Sequence, residues 1–198
     1  MAAVKTVDAA TLRAACEAGM RCFGENRVQE RAAHQAELSD LPVEWRLIGA
    51  LQSNKAARAL ELFDAIDSVD GLDLARRLNR LAGEKARRLP VLIEINIGEE
   101  PQKAGLAPAA ALAAASELAA LEHLDWRGVM ALPPLSNDAE ATRPFFAAVA
   151  ALAAQLRPAA APPGEWHISM GMSHDYAVAI EEGATMVRIG TALFGPRS

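Results

Sequence analysis

The chain has 198 residues, 52% of them hydrophobic, with 25 acidic and 20 basic side chains and a net charge of −5. That length holds one domain with a proper core and is short for two, and that composition belongs to a globular chain. The acidic balance argues against a dedicated nucleic-acid binder, no apolar run is long enough to span a bilayer, and the first residues lack the apolar stretch of a signal peptide, which together predict a cytoplasmic protein.

Short β-like runs alternate with amphipathic helical segments along the whole chain. Strands are predicted at about 2–5, 20–24, 44–49, 64–69, 90–97, 124–131, 165–170 and 185–190. Helices are predicted between them, at about 9–18, 26–38, 54–61, 71–87, 108–121, 138–156 and 174–182. Asp8, Asn54, Asp138 and Ser173 or His174 stand at helix starts, and Gly19 and Gly183 at helix ends. The nearly unbroken apolar run Leu89 to Ile97 fits a strand buried on both faces. The Ala/Pro stretch 158–163 reads as a loop before strand seven.

Alternating strands and helices imply parallel strands, and eight such units predict a single (β/α)8 barrel domain over 1–198. Its active face lies at the C-terminal ends of the strands. Lys5, Glu25, Asn26, Gly49 to Gln52, Asn96, Met130, Ser169 to Ser173, Gly190 and Thr191 fall at or just after those ends. Trp45, Trp126 and Trp166 fall at strand starts, on the opposite, structural face. No helix is evident before strand one or after strand eight.

Of the four lysines, Lys55 begins a helix, Lys85 lies on a solvated helix face and Lys103 is in a polar loop. Only Lys5 lies within a strand pattern. Burial of a strand-end lysine frees its amine to attack a carbonyl, whereas the bland alternative is an exposed lysine near a terminus. Ser169-Met170-Gly171-Met172-Ser173 stands between strand seven and a helix, and Arg188-Ile189-Gly190-Thr191 repeats that arrangement after strand eight. Small residues there let backbone N–H groups approach an anion, and barrels of this kind bind phosphate in those two loops. The alternative is two tight turns with Arg188 in a structural ion pair. His167 reads as a core histidine, while His34, His123 and His174 read as exposed. Cys16 and Cys22 read as reduced thiols, and no Cys/His cluster has metal-ligand spacing. No Ser-His-Asp or paired-carboxylate pattern is present.

Seven stretches in order carry a resemblance over essentially the whole chain. They are Ala3 to Thr6, Phe23 to Glu30, Trp45 to Lys55, Asn96 to Gly105, Arg127 to Pro133, Ser169 to Ser173 and Val187 to Gly195. The sequence resembles the pyridoxal phosphate homeostasis protein family. The resemblance implies an alanine racemase N-terminal-domain-like barrel that holds pyridoxal 5′-phosphate (PLP) as a Schiff base on Lys5. It implies phosphate contacts from Ser169, Gly171, Ser173, Gly190 and Thr191, a further cofactor contact at Met172, Arg188 facing the pyridine nitrogen, and Asn26 near the ring. An arginine opposite that nitrogen weakens the ring as an electron sink, which suits a carrier in vitamin B6 homeostasis and amino-acid and keto-acid balance. PLP-dependent apo-enzymes are the implied recipients, and a monomer the implied state. Two features depart from the family pattern. Its usual helical segment before strand one is not seen, which predicts an exposed apolar flank, and Val4 stands where Ser or Thr often precedes the lysine. The alternatives are a PLP-dependent amino-acid racemase and a Schiff-base aldolase. The first needs a second base, and the only tyrosine is Tyr176. The second needs an acid/base pair near Lys5 that the sequence does not display.

Overall fold

The computed structural model describes residues 1–158 and 164–195. The predicted loop 158–163 therefore lies outside the described residues apart from Pro158. Eight strands pair in parallel in the order of the chain: β1 (Ala2–Ala3), β2 (Cys22–Glu25), β3 (Glu44–Leu47), β4 (Ala65–Val69), β5 (Leu89–Ile95), β6 (Leu124–Ala131), β7 (His167–Met172) and β8 (Met186–Arg188). A parallel bridge between Ala2 and Ile189, with Ala3 N–H donating to Ile189 O at 2.8 Å, joins the last strand to the first. The architecture is a (β/α)8 barrel.

Helices α1 (Ala9–Glu17), α2 (Val28–Leu38), α3 (Ala56–Leu62), α4 (Leu72–Glu84), α5 (Pro108–Ala119), α6 (Arg143–Leu156), α7 (Tyr176–Glu181) and α8 (Thr191–Phe194) follow the strands in turn. α4 shows why: Leu74, Ala75, Leu78, Leu81 and Ala82 recur at helical spacing and are buried against the sheet, while its arginines face outward or flank that stripe. Pro108 and Pro144 open α5 and α6, where a missing N–H costs nothing. Gly19 and Gly183, at φ +102° and +95°, close α1 and α7. At each, two N–H groups reach back into the last turn: Gly19 to Cys16 O and Met20 to Ala15 O, Gly183 to Ile180 O and Ala184 to Ala179 O.

Several boundaries differ from the expected ones. β1 stops at Ala3, two residues before Lys5. β7 runs through to Met172, so Ser169 to Gly171 belong to a strand and not to the turn after it. α4 ends at Glu84, since Ala86 takes a positive φ of 48°. Asn54 caps no helix but sits in a 3-10 turn over Ser53–Lys55. Asp138 accepts the Glu140 N–H ahead of a 3-10 turn over Glu140–Thr142, five residues before α6. The predicted cap at Ser173 or His174 gives way to Asp175, whose Oδ1 instead accepts from Met172 N–H at 2.6 Å. A one-turn helix, α8, does follow strand eight, where none was expected. His34 is half-buried, not exposed.

Strand alternation sorts side chains between the barrel interior and the helix layer. Trp45 turns outward, its ring beneath Arg31 of α2 and edge-on to Phe23. Arg46 therefore turns inward, and its Nε and Nη2 grip Asp67 of β4 at 2.6–3.1 Å. Trp126 and Trp166 meet edge to face at 5.3 Å, and Trp166 Nε1 donates to Ala153 O of α6. The interior is thus partly polar, with Arg46, Asp67, Glu94, Ser169 and Arg188 all buried.

Candidate functional site

The same alternation places Lys5. Ala2 and Val4 are fully buried under the helix layer, so Ala3 and Lys5 turn the other way. Both line a cavity of about 480 Å³ at the C-terminal ends of the strands. Val4 N–H still donates to Gly24 O at 2.9 Å, so the extended direction persists to Lys5 although the ladder has ended. The chain then turns abruptly. Thr6 takes φ +62°, a conformation that a β-branched residue adopts only under constraint, and Asp8 caps α1 by accepting from Thr11 N–H and Oγ1. Lys5 is half-buried rather than sealed in the core.

Asn26, Met172, Ser173, Arg188, Gly190 and Thr191 line the same cavity. Ser173 Oγ accepts from Gly190 N–H at 3.3 Å and from Ala192 N–H at 3.2 Å, which ties the loop after β7 to the loop after β8. The result is a concave group of a hydroxyl and backbone amides facing Lys5. Gly190 is close-packed, since a Cβ there would lie 3.2 Å from Ala3 O.

Arg188 is 4% exposed and makes no ion pair among the described residues. Its Nη1 donates to Ser169 O and Oγ, both at 2.8 Å, and its Nη2 to Ala131 O at 2.9 Å. Three acceptors on two neighbouring strands thus fix the guanidinium while it reaches the cavity. Burial holds its pKa below the ordinary arginine value, against the opposing pull of Asp67, Glu94 and Asp175. Burial likewise pushes Glu94 up to about 7, with Asp70 adding to the rise and Arg188 opposing it.

Two of the expected contacts do not reach the cavity. Ser169 is fully buried and its Oγ is taken by Arg188. Gly171 is buried within β7, where it lets α7 pack close: a Cβ would meet Ala179 Cβ at 2.6 Å. Their sequence context looked like a turn, but β7 continues through both. Asn96 and Met130 also lie away from the lining. Asn96 closes its own loop by bonding Glu100 N–H and O, and Met130 is fully buried. Conversely, Ile48, Leu132 and Phe194 supply apolar wall that sequence reading did not single out. Ile48 and Leu132 sit just past strand ends, a positional signal that residue type alone obscures, while Phe194 ends α8.

The family described as alanine racemase, N-terminal domain, matches residues 1–198. Alanine racemase from Clostridium difficile 630 shares the fold, with a TM-score of 0.76 at 17% identity, over 99% of this chain and 50% of that one. The barrel, with its lysine just past strand one, is therefore of the alanine racemase N-terminal-domain class. Similarity over the whole of this sequence narrows this. The pyridoxal phosphate homeostasis protein of Pseudomonas aeruginosa is 43% identical over 197 residues, covering 100% of this chain and 84% of the relative. That of Escherichia coli K12 is 40% identical over 200 residues, covering 100% and 85%. PipY of Synechococcus elongatus, solved with PLP bound, superposes with a TM-score of 0.89 at 45% identity, over 98% of this chain and 91% of that one. The chain belongs to the pyridoxal phosphate homeostasis protein family.

Proposed function

We propose that this protein binds PLP in the cavity and serves in intracellular PLP homeostasis without a dedicated reaction of its own. The observation that carries the reading is convergence: one amine, Lys5, one guanidinium, Arg188, and the joined Ser173 and Gly190–Thr191 loops share one cavity. Its volume of about 480 Å³ is within the range that holds a cofactor-sized ligand. Lys5 would hold the cofactor covalently, Met172, Ser173, Gly190 and Thr191 would receive the phosphate, Arg188 would face the ring nitrogen, and Asn26 would flank the ring. When bound, PLP supplies an aldehyde that amines condense with and a ring that withdraws electrons. Arg188, held by three acceptors, is a fixed cation, and a cation facing the ring nitrogen disfavours a protonated ring, which supports a carrier. Ser169 and Gly171 act behind the cavity, Ser169 by orienting Arg188 and Gly171 by admitting α7.

The racemase alternative is not favoured. Tyr176 is 42% exposed on α7 and does not line the cavity. Asp8 is engaged in capping α1. Similarity to relatives named for homeostasis supports the same reading. The proposal extends to a cytoplasmic monomer that passes PLP to apo-enzymes. No helix among the described residues is long and apolar enough to cross a membrane.

The test is borohydride reduction of the protein with PLP, followed by peptide mass mapping. A phosphopyridoxyl group on the peptide containing Lys5 is expected, and its loss in Lys5→Ala without loss of fold. The same visible absorption band in Lys5→Ala would sink the assignment.

A further inference from the structure

A second cavity, of about 260 Å³, opens at the opposite end of the barrel. It lies at the starts of β3 and β4, beneath the C-terminal ends of α2 and α3, and is lined by Arg31, Trp45, Glu61, Asp64 and Arg87 among others. Arg31 is 6% exposed, with its guanidinium carbon 4.2 Å from the centre of the Trp45 ring. Its Nε and Nη1 are sealed from solvent and have no acceptor among the described residues, so Nη2 is the nitrogen left to meet a ligand. A buried guanidinium without hydrogen bonds is costly, and stacking on an aromatic face recovers only part of that cost. Arg87 is anchored on backbone alone, donating to Leu60 O, Phe63 O and Asp64 O at 2.6–2.9 Å. Two positive groups thus border one small cavity with no carboxylate at ion-pairing distance from either among the described residues.

The cavity is not simply cationic. Glu61 is answered by Arg58 at 2.8 Å and Lys85 at 3.3 Å, but Asp64 is exposed, and among the described residues its carboxylate accepts only from Trp45 N–H, at Oδ2. A simple anion here would face Asp64, and a simple cation would face Arg31 and Arg87. A small molecule carrying both charges is complementary to all three. We propose that this cavity is a binding site, remote from Lys5, for a small zwitterion of the α-amino acid type, its carboxylate toward Arg31 and its ammonium toward Asp64.

Titration calorimetry on the 198-residue Lys5→Ala chain, which lacks the amine of the first cavity, tests this with glycine, L-alanine, acetate and methylammonium. Saturable binding of glycine or L-alanine is expected, with acetate and methylammonium at least about tenfold weaker. Adding Arg31→Gln should weaken L-alanine by at least about tenfold. In the Lys5-containing chain, Arg31→Gln should leave the PLP titration unchanged. If Arg31→Gln does not fold, Asp64→Asn, which keeps an acceptor for Trp45 N–H, tests the other end: L-alanine should weaken while acetate does not. No saturable binding of either amino acid, acetate binding as tightly as glycine, or unchanged L-alanine affinity in the variant that folds would each overturn the proposal.

Discussion

Arg188 shows how one side chain serves both stability and the site. Removing it strands Ser169 O, Ser169 Oγ and Ala131 O without a donor in a buried setting. Arg188→Ala should therefore cost about 3 kcal/mol, read from the urea midpoint. Arg188→Lys keeps the charge but loses the planar fork, so it should bind PLP more weakly with a shifted absorption band. An unchanged PLP titration and spectrum would count against its facing the ring. Glu25 makes a prediction about pH. It is fully buried at the end of β2, its Oε1 accepts from Asn26 N–H at 2.7 Å, and its Oε2 has no hydrogen-bond donor among the described residues. Burial first, and then Glu30 beside it, push its pKa up to about 8 from 4.5. The unfolded chain loses this proton first, so the stability Glu25 lends is complete below pH 4.5 and disappears as pH rises toward 8. Glu25→Gln keeps the acceptor and cannot ionise. It should raise the melting temperature by a few degrees at pH 8.5 and leave it unchanged at pH 4.5; equal shifts at both would show that ionisation is not the cause.

The elements were legible in sequence where periodicity was strong. α4 and β5 were recognisable from their apolar patterns, because burial on one face or on two repeats with the period of the backbone. The loops were harder. Ser169 to Ser173 reads as a turn from composition, yet pairing of Ser169 with Met186 and of Met172 with Arg188 keeps most of it in the sheet. That pairing is non-local and leaves no mark on the five residues themselves. Gly171 is needed there for two reasons: φ is +90°, and a side chain would meet Ala179 Cβ at 2.6 Å and Tyr176 Cα at 3.1 Å. Gly171→Ala should destabilise by about 3 kcal/mol in chemical denaturation, the sum of a left-handed backbone and an overpacked helix contact. A change under 1 kcal/mol, an order-of-magnitude threshold, would mean that α7 shifts freely.

At the scale of the molecule, the barrel is closed by few bonds. Ala3 N–H to Ile189 O at 2.8 Å and Ile189 N–H to Met1 O at 3.1 Å span the seam between β8 and β1. Lys5 hangs two residues beyond that seam, so closure and the site are coupled. Ala3→Pro removes a bond of the seam, and we expect it to cost about 3 kcal/mol and to lower labelling of Lys5 by PLP and borohydride even where the protein remains folded. Full labelling would show that Lys5 is positioned by its own turn, with strained Thr6, rather than by the strand pairing.

The sequence alone determined the order of eight strand–helix units, and it singled out Lys5, Arg188 and the two loops, because alternation and turn composition are local properties of consecutive residues. Only the tertiary structure decided which side chains meet. Ser169 faces Arg188 across 19 residues and Ala131 reaches the same guanidinium across 57. Trp45 of β3 and Arg31 of α2 come together to wall a second cavity although they stand on different elements. Such partnerships depend on how strands are staggered around a closed barrel, and that geometry is set by all eight at once.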